Sequence, residues 1–210
     1  AGSIAAKYLS NLESTKAGII GAGLQARLQL EALKLVRPID TAFVWSRNSI
    51  KLEKFVKEIE YLNLKIEICH SPEELITKSH IVVTTTPSKS PLIKSNWLKK
   101  GLHITAMGSD AEEKNELDPN VLKKCDYYIP DSQSQTSILG ELNHAIKAGL
   151  VSAEKKYNEL GSVIINPNLG RRNIDDVTVA DLTGTGVQDT AIARHTYKIS
   201  SDKGLGIMIE

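Results

Sequence analysis

Residues 16–36 read KAGIIGAGLQARLQLEALKLV. The apolar run 17–20 meets a glycine turn, Gly21-Ala22-Gly23. An amphipathic run follows, in which Leu24, Leu28, Ala32, Leu35 and Val36 recur at helical spacing. This is a strand, a tight turn and a helix, and the turn carries the pattern G-x-G-x-x-A in Gly21, Gly23 and Ala26. Gly21 permits the sharp turn out of the strand. Gly23 lets the backbone approach a pyrophosphate, and Ala26 is small enough for the helix to pack closely on the strand. The free N–H groups and the dipole at the helix start then hold phosphates. The same residues could serve a glycine-rich turn without a ligand, so the pattern takes its meaning from the strand before it and the helix after it.

Working outward, the chain alternates. Residues 1–12, 24–36 and 49–59 read as helices; Arg37-Pro38 stops the second, because a residue before proline avoids the helical region. Residues 17–20, 41–45, 64–69, 80–84, 102–106 and 126–129 read as strands. Ser71-Pro72-Glu73-Glu74 is a capping box with proline at the first helical position, opening a short helix. Strands alternating with helices imply an α/β fold, a Rossmann-type doubly wound parallel sheet with helices on both faces. After Pro130 the rhythm changes. Residues 138–150 read as a helix, followed by segments 160–165 and 177–182 and a last helix from Val187 to about Ser200, with 204–210 as a candidate final strand. Three parts are expected: an inter-domain helix over 1–15, a dinucleotide-binding domain over 16–150, and a tail over 151–210 that returns to a second domain.

The 210 residues suffice for one α/β domain and something extra. With a net charge of +1 there is no electrostatic case for nucleic acid or an anionic membrane. The two cysteines, Cys69 and Cys125, form no C-x-x-C pair, so a reducing cytoplasm is the expected location. No apolar run approaches the about 18 residues of a membrane span. The first helix starts abruptly, with no initiator methionine and no cap, and more chain is expected upstream. The five histidines show no metal-ligand spacing, so no metal is expected; His144 reads as a residue of a solvated helix.

In an open parallel sheet ligands sit beyond the carboxyl ends of the strands. The second strand ends in Trp45-Ser46-Arg47. A carboxylate there would bond the ribose hydroxyls of NAD; Arg47 can instead pair with a 2′-phosphate and Ser46 can donate to it, so NADP is favoured over NAD. Arg47 could equally stack on adenine or lie in solvent. The fourth strand ends in Thr84-Thr85-Thr86-Pro87, whose hydroxyls can line the cofactor ribose, although threonines are also plain strand formers. The fifth ends in Met107-Gly108-Ser109-Asp110. A carboxylate after a glycine at this strand end can face the nicotinamide as a general base; the alternative is that Asp110 caps a turn.

These stretches, with Lys114-Asn115-Glu116-Leu117-Asp118, Gly140-Glu141-Leu142 and residues 182–189 (LTGTGVQD), occur in an order that resembles the ornithine cyclodeaminase/mu-crystallin family over nearly the whole chain. The resemblance implies a cofactor domain plus a substrate and dimerisation domain, the latter mostly absent here together with the family's carboxylate-gripping arginine. It implies that Leu24 and Gln25 lie over the pyrophosphate and that Ser46 reads the ribose. It places Thr86 at or next to a cofactor threonine. Met107, Gly108 and Ser109 are implied to hold the nicotinamide, with Asp110 as the catalytic carboxylate. Lys114 matches a cofactor-contacting lysine, and Thr183 lies where the tail reaches the site. Leu182 replaces a serine common in the family. Asp110 weighs against the mu-crystallin branch, and the motifs look closer to ectoine-utilisation and arginine dehydrogenase members.

Three functions are then expected in order. The first is an NAD(P)-dependent cyclodeaminase that removes a hydride from the α-carbon of a small amino acid and releases ammonia. The second is an amino-acid dehydrogenase or an imine or ketimine reductase. The third is a non-enzymatic NADP-binding protein. The full-length chain is expected to form a homodimer, with neither nucleic acid nor a membrane as partner.

Overall fold

The computed structural model describes residues 1–207. Seven strands form one parallel sheet: β1 (Lys16–Ile20), β2 (Thr41–Trp45), β3 (Lys65–Ile68), β4 (Ile81–Thr84), β5 (His103–Ala106), β6 (Tyr127–Pro130) and β7 (Thr178–Asp181), in the order β3-β2-β1-β4-β5-β7-β6. Nine helices accompany them among the described residues: α1 (Gly2–Leu9), α2 (Leu24–Lys34), α3 (Ser49–Glu58), α4 (Pro72–Lys78), α5 (Asn120–Lys124), α6 (Gln133–Thr136), α7 (Glu141–Lys147), α8 (Leu160–Ile165) and α9 (Gly186–Asp202).

Alternation along the strands supplies both cores. Ile19, Ala42, Val44, Ile81 and Val83 point to the face covered by Ala26, Leu30 and Leu33 of α2 and Phe55 of α3. Ile20, Phe43, Val82 and Ile104 point to the other face, against Leu75 and Ile76 of α4, Val121 of α5 and Leu142 of α7. Gly18 lets α4 approach the sheet, since a Cβ there would lie 2.4 Å from both Leu75 Cδ2 and Ser79 Oγ. The Ser71 hydroxyl accepts from Glu74 N at 3.1 Å, and the Glu74 carboxylate reaches back to His70 N at 2.8 Å. The cap therefore closes one residue earlier than in the usual box.

The structure amends four expectations. The buried stripe of α2 is Ala26, Gln29, Leu30 and Leu33, whereas Leu24 and Leu35 are 61% and 85% exposed. The helical period was legible in the sequence, but Leu24, Leu28 and Leu35 of the expected stripe lie on the outward face, and Leu30 and Leu33 on the inward one. The helix read from residue 138 begins at Glu141; Gly140 precedes it in extended conformation and leaves no room for a side chain, since a Cβ there would lie 2.6 Å from the Asp181 carboxylate. Residues 178–181, assigned to the tail of a second domain, form β7 between β5 and β6, so the sheet draws on residues beyond 150. Residues 204–207 form a turn and irregular chain rather than a strand, and 208–210 lie outside the described residues. No helix among the described residues is long and apolar enough to cross a membrane.

Candidate active site

Chain order reverses beside β1: β2 and β3 lie on one side of it and β4 on the other. A crevice opens there at the carboxyl ends. Gly21 leaves β1 at φ +124°, and a Cβ on it would lie 2.5 Å from Thr85 Oγ1, so both conformation and space require glycine. Gly23 precedes α2 with no side-chain cap, and a Cβ on it would meet nothing within 4 Å. Protein packing does not explain that glycine, but the approach of a ligand to the uncapped N–H groups of α2 does. The turn thus fits a dinucleotide pyrophosphate.

Next to the turn lies a cleft of about 500 Å³ into which Gln25, Thr86, Met107, Gly108, Asp110, Lys114 and Thr183 all face. Gln29 and Gln188, to which the sequence assigned no role, line it too, as does Leu182. Gly2 of α1 packs against the cleft wall, where a Cβ would lie 2.3 Å from Gln29 Oε1 and 2.9 Å from Met107 Sδ. Lys114 Nζ donates to Asp110 Oδ1 at 2.5 Å across a turn closed by Lys114 N to Ala111 O at 3.0 Å. His144 is half-buried rather than solvated: its Nε2 donates to Lys114 O at 2.7 Å, so α7 grips the same loop.

Six expected residues lie elsewhere. Ala26 is fully buried against the sheet, and its role is packing. Thr84 and Ser109 are also buried, and their hydroxyls donate inward to Glu116 and Glu141 rather than into the cleft. Leu24 is exposed beside the turn. Ser46 and exposed Arg47 follow β2, whose Trp45 O accepts from Gly21 N at 2.9 Å; this sets them beside the glycine turn and away from the cleft.

Behind the cleft stands a group of buried carboxylates that sequence reading missed. Glu116 accepts from Thr86 N and Thr86 Oγ1 at 2.6 and 2.7 Å on one oxygen. Its other oxygen accepts from Thr84 Oγ1 and Gly108 N at 2.6 and 2.8 Å. Glu141 accepts from Ser109 Oγ, from Asn115 Nδ2 at 2.6 Å, and from Glu116 N and Leu117 N at 2.8 and 3.1 Å. Asp181 accepts from Tyr128 OH at 2.6 Å and Leu142 N at 3.2 Å on one oxygen, while its other oxygen is buried without a partner. Burial raises the affinity of all three for protons, and Glu141 is raised further by the charge of Asp181. Asp131 accepts from Thr183 N and Gly184 N at 3.0 and 2.9 Å and so delivers the tail to the cleft. Among the described residues no group of three or more acidic, histidine or cysteine side chains could hold a metal.

Comparison with known proteins agrees with this fold. The profile of the ornithine cyclodeaminase/mu-crystallin family matches residues 1–204. An uncharacterized cyclodeaminase of Sinorhizobium fredii is 48% identical over the whole chain. An archaeal alanine dehydrogenase dimer solved with NAD superposes over the whole chain with TM-score 0.91 at 36% identity. The Thermococcus litoralis Δ1-pyrroline-2-carboxylate reductase, solved with NADH and L-proline, superposes over 99% of the chain with TM-score 0.93 at 30% identity. The chain spans 64% of the length of each of these three proteins.

Proposed function

Because this chain belongs to the ornithine cyclodeaminase/mu-crystallin family, we propose that it carries the cofactor-binding half of an NAD(P)-dependent enzyme acting at the α-carbon of a small amino acid. In this reading the reaction is that of a cyclodeaminase: hydride leaves the α-carbon, the side-chain amine closes on the resulting iminium, ammonia departs and the hydride returns. The observation that carries the proposal is the convergence of Asp110, Lys114 and Thr86 on one cleft beside the open backbone of Gly23.

A nicotinamide dinucleotide bound here supplies a hydride acceptor and donor. The pyrophosphate is assigned to Gly23, Leu24 and Gln25, and the nicotinamide to the Thr86, Met107 and Gly108 wall. Asp110 takes a proton from the substrate amine or from water, and its negative charge stabilises the iminium cation. Lys114, paired with it, keeps that carboxylate aimed and offsets its charge before substrate arrives. Ser46 and Arg47, which follow β2 beside the glycine turn, would pair with an adenosine 2′-phosphate, and their chemistry supports a preference for NADP over NAD. The full-length protein is proposed to work as a homodimer in the cytoplasm.

A second reading, amino-acid dehydrogenase or imine reductase, is favoured by the names of the two solved relatives. The natural full-length protein, assayed with ornithine, arginine, lysine, alanine and diaminobutyrate for both reduced-nicotinamide absorbance and ammonia, separates the two. Ammonia without net reduction of cofactor marks the cyclodeaminase. Ammonia in step with reduction marks the dehydrogenase. Neither signal with any substrate, together with no oxidation of reduced cofactor by a cyclic imine, defeats both.

A further inference from the structure

We infer that Glu116 is a positioning residue for the nicotinamide end of the site: without touching a ligand, its carboxylate ties the end of β4 to the loop after β5 and so sets the wall of the cleft. The inference rests on the cofactor reading above. Glu116 is fully buried, and each of its oxygens serves one backbone N–H and one hydroxyl. One oxygen takes Thr86 N and Oγ1, while the other takes Gly108 N and Thr84 Oγ1. Thr86 and Gly108 both line the cleft, yet their strands pair only as far as Thr84 with Ala106. Beyond that register Met107 N still reaches Thr84 O at 3.1 Å, and further out the Glu116 carboxylate takes over the ladder's role. Gly108 is shaped to this arrangement: a Cβ there would lie 2.1 Å from Thr86 O and 2.5 Å from Glu116 Cδ.

Glu116 is itself held. Its own N–H donates to Glu141 at 2.8 Å, and its O accepts from Leu92 N and Ile93 N at 2.7 and 3.1 Å. The support is therefore rigid and lies entirely under the nicotinamide half. Neither the glycine turn, assigned to the pyrophosphate, nor Arg47, assigned to the 2′-phosphate, is a hydrogen-bond partner of Glu116. The inference thus demands that damage at Glu116 be felt by one end of the dinucleotide only.

Glu116→Gln provides the test, because it is not a silent isostere here. Each carboxylate oxygen faces a backbone N–H, so either orientation of the amide sets an NH₂ against a donor and one of the two backbone ties must break. In the natural full-length protein, the Kd of NADPH and of the matching 2′-phospho-ADP-ribose, which lacks nicotinamide, is measured with kcat. The expected result is a 2′-phospho-ADP-ribose Kd within twofold of the parent, a loss of at least tenfold in kcat, and loss of whatever affinity the parent gains from the nicotinamide. Thr84→Val removes one of the four donors from beneath, without reaching the cleft, and is expected to shift the same readouts in the same direction by a smaller factor. It also serves as the test if the Gln variant fails to fold. Equal weakening of both ligands in either variant, or kcat within threefold of the parent in both, overturns the inference. A parent that binds neither this pair nor NADH and ADP-ribose, which replace it in the same comparison if the protein prefers NAD, overturns the cofactor reading itself, and the inference with it.

Discussion

Lys114 Nζ lies 2.5 Å from Asp110 Oδ1, four residues away across a turn at the rim of the cleft, and the carboxylate side chain remains 55% exposed. A carboxylate that merely capped a turn would spend its oxygens on backbone N–H groups. This one is aimed by a cation and stays open to the cleft, as a base requires. Asp110→Asn keeps the shape and removes the charge. In the full-length enzyme kcat should fall by about 100-fold or more, the low end for general acid–base catalysis, while cofactor Kd stays nearly constant. Turnover within a few-fold of the parent would return Asp110 to a turn-capping role.

Arg47 should discriminate between cofactors. Exposed beside the glycine turn, it is placed to form one charge-assisted bond to a 2′-phosphate. Arg47→Ala should weaken NADPH binding by roughly 1–3 kcal/mol and NADH binding much less. Equal losses by titration calorimetry would show that it does not read the phosphate.

Two glycines of the same strand–turn–helix should respond in opposite ways to alanine. At Gly18 the new methyl would press on Leu75 and Ser79, and thermal unfolding should report about 1–3 kcal/mol of overpacking, with binding intact once folded. At Gly23 the methyl meets no protein atom within 4 Å. Stability should change by less than about 1 kcal/mol, whereas dinucleotide affinity should drop by about tenfold or more. If Gly23→Ala binds like the parent, no ligand approaches that backbone.

The stabilisation that Glu141 and Asp181 contribute should fall as pH rises. Burial lifts Glu141 to about 8 and Asp181 to about 7, above their ordinary values of 4.5 and 3.8, so the folded state keeps protons that the unfolded chain has released. The stabilisation is complete below about pH 4 and is lost as pH climbs through the window up to about 8. Asp181→Asn keeps an acceptor for Tyr128 and Leu142 and alters only the oxygen that has no partner. It should flatten the decline of Tm between pH 5 and 8.5, and an undiminished slope would exclude the pair as its source.

The parts of this fold legible in sequence are those decided locally. Gly21, Gly23 and Ala26 act through their own size and backbone freedom, and β2 begins at Thr41 and ends at Trp45 as its residues suggest. Position within the sheet is not local. Nothing in residues 178–181 says that they insert between β5 and β6. The carboxylate group was hidden for a similar reason. Glu116 sits in a polar stretch that looks solvated, and Glu141 and Asp181 in mixed stretches that name no partner, until the chain brings Thr84, Ser109 and Tyr128 to meet them. Those partners misled in turn: Thr84 and Ser109 sit at ligand-bearing strand ends, but their hydroxyls are committed inward. Asp110, Thr86 and Met107 were legible because a strand end in a parallel sheet faces the crevice whatever its neighbours do.

The place of β7 also bears on how this molecule is made. β6 pairs with β7 and with no other strand among the described residues, and β5 reaches β6 only through it. On the ribosome, residues 127–130 emerge long before residues 178–181 do. Until then two strand edges stand open, β5 on a nearly finished sheet and β6 with nothing to pair to. A nascent chain stalled in that interval offers a ready template to its neighbours, so the stretch between Pro130 and Thr178 sets how long those edges stay open.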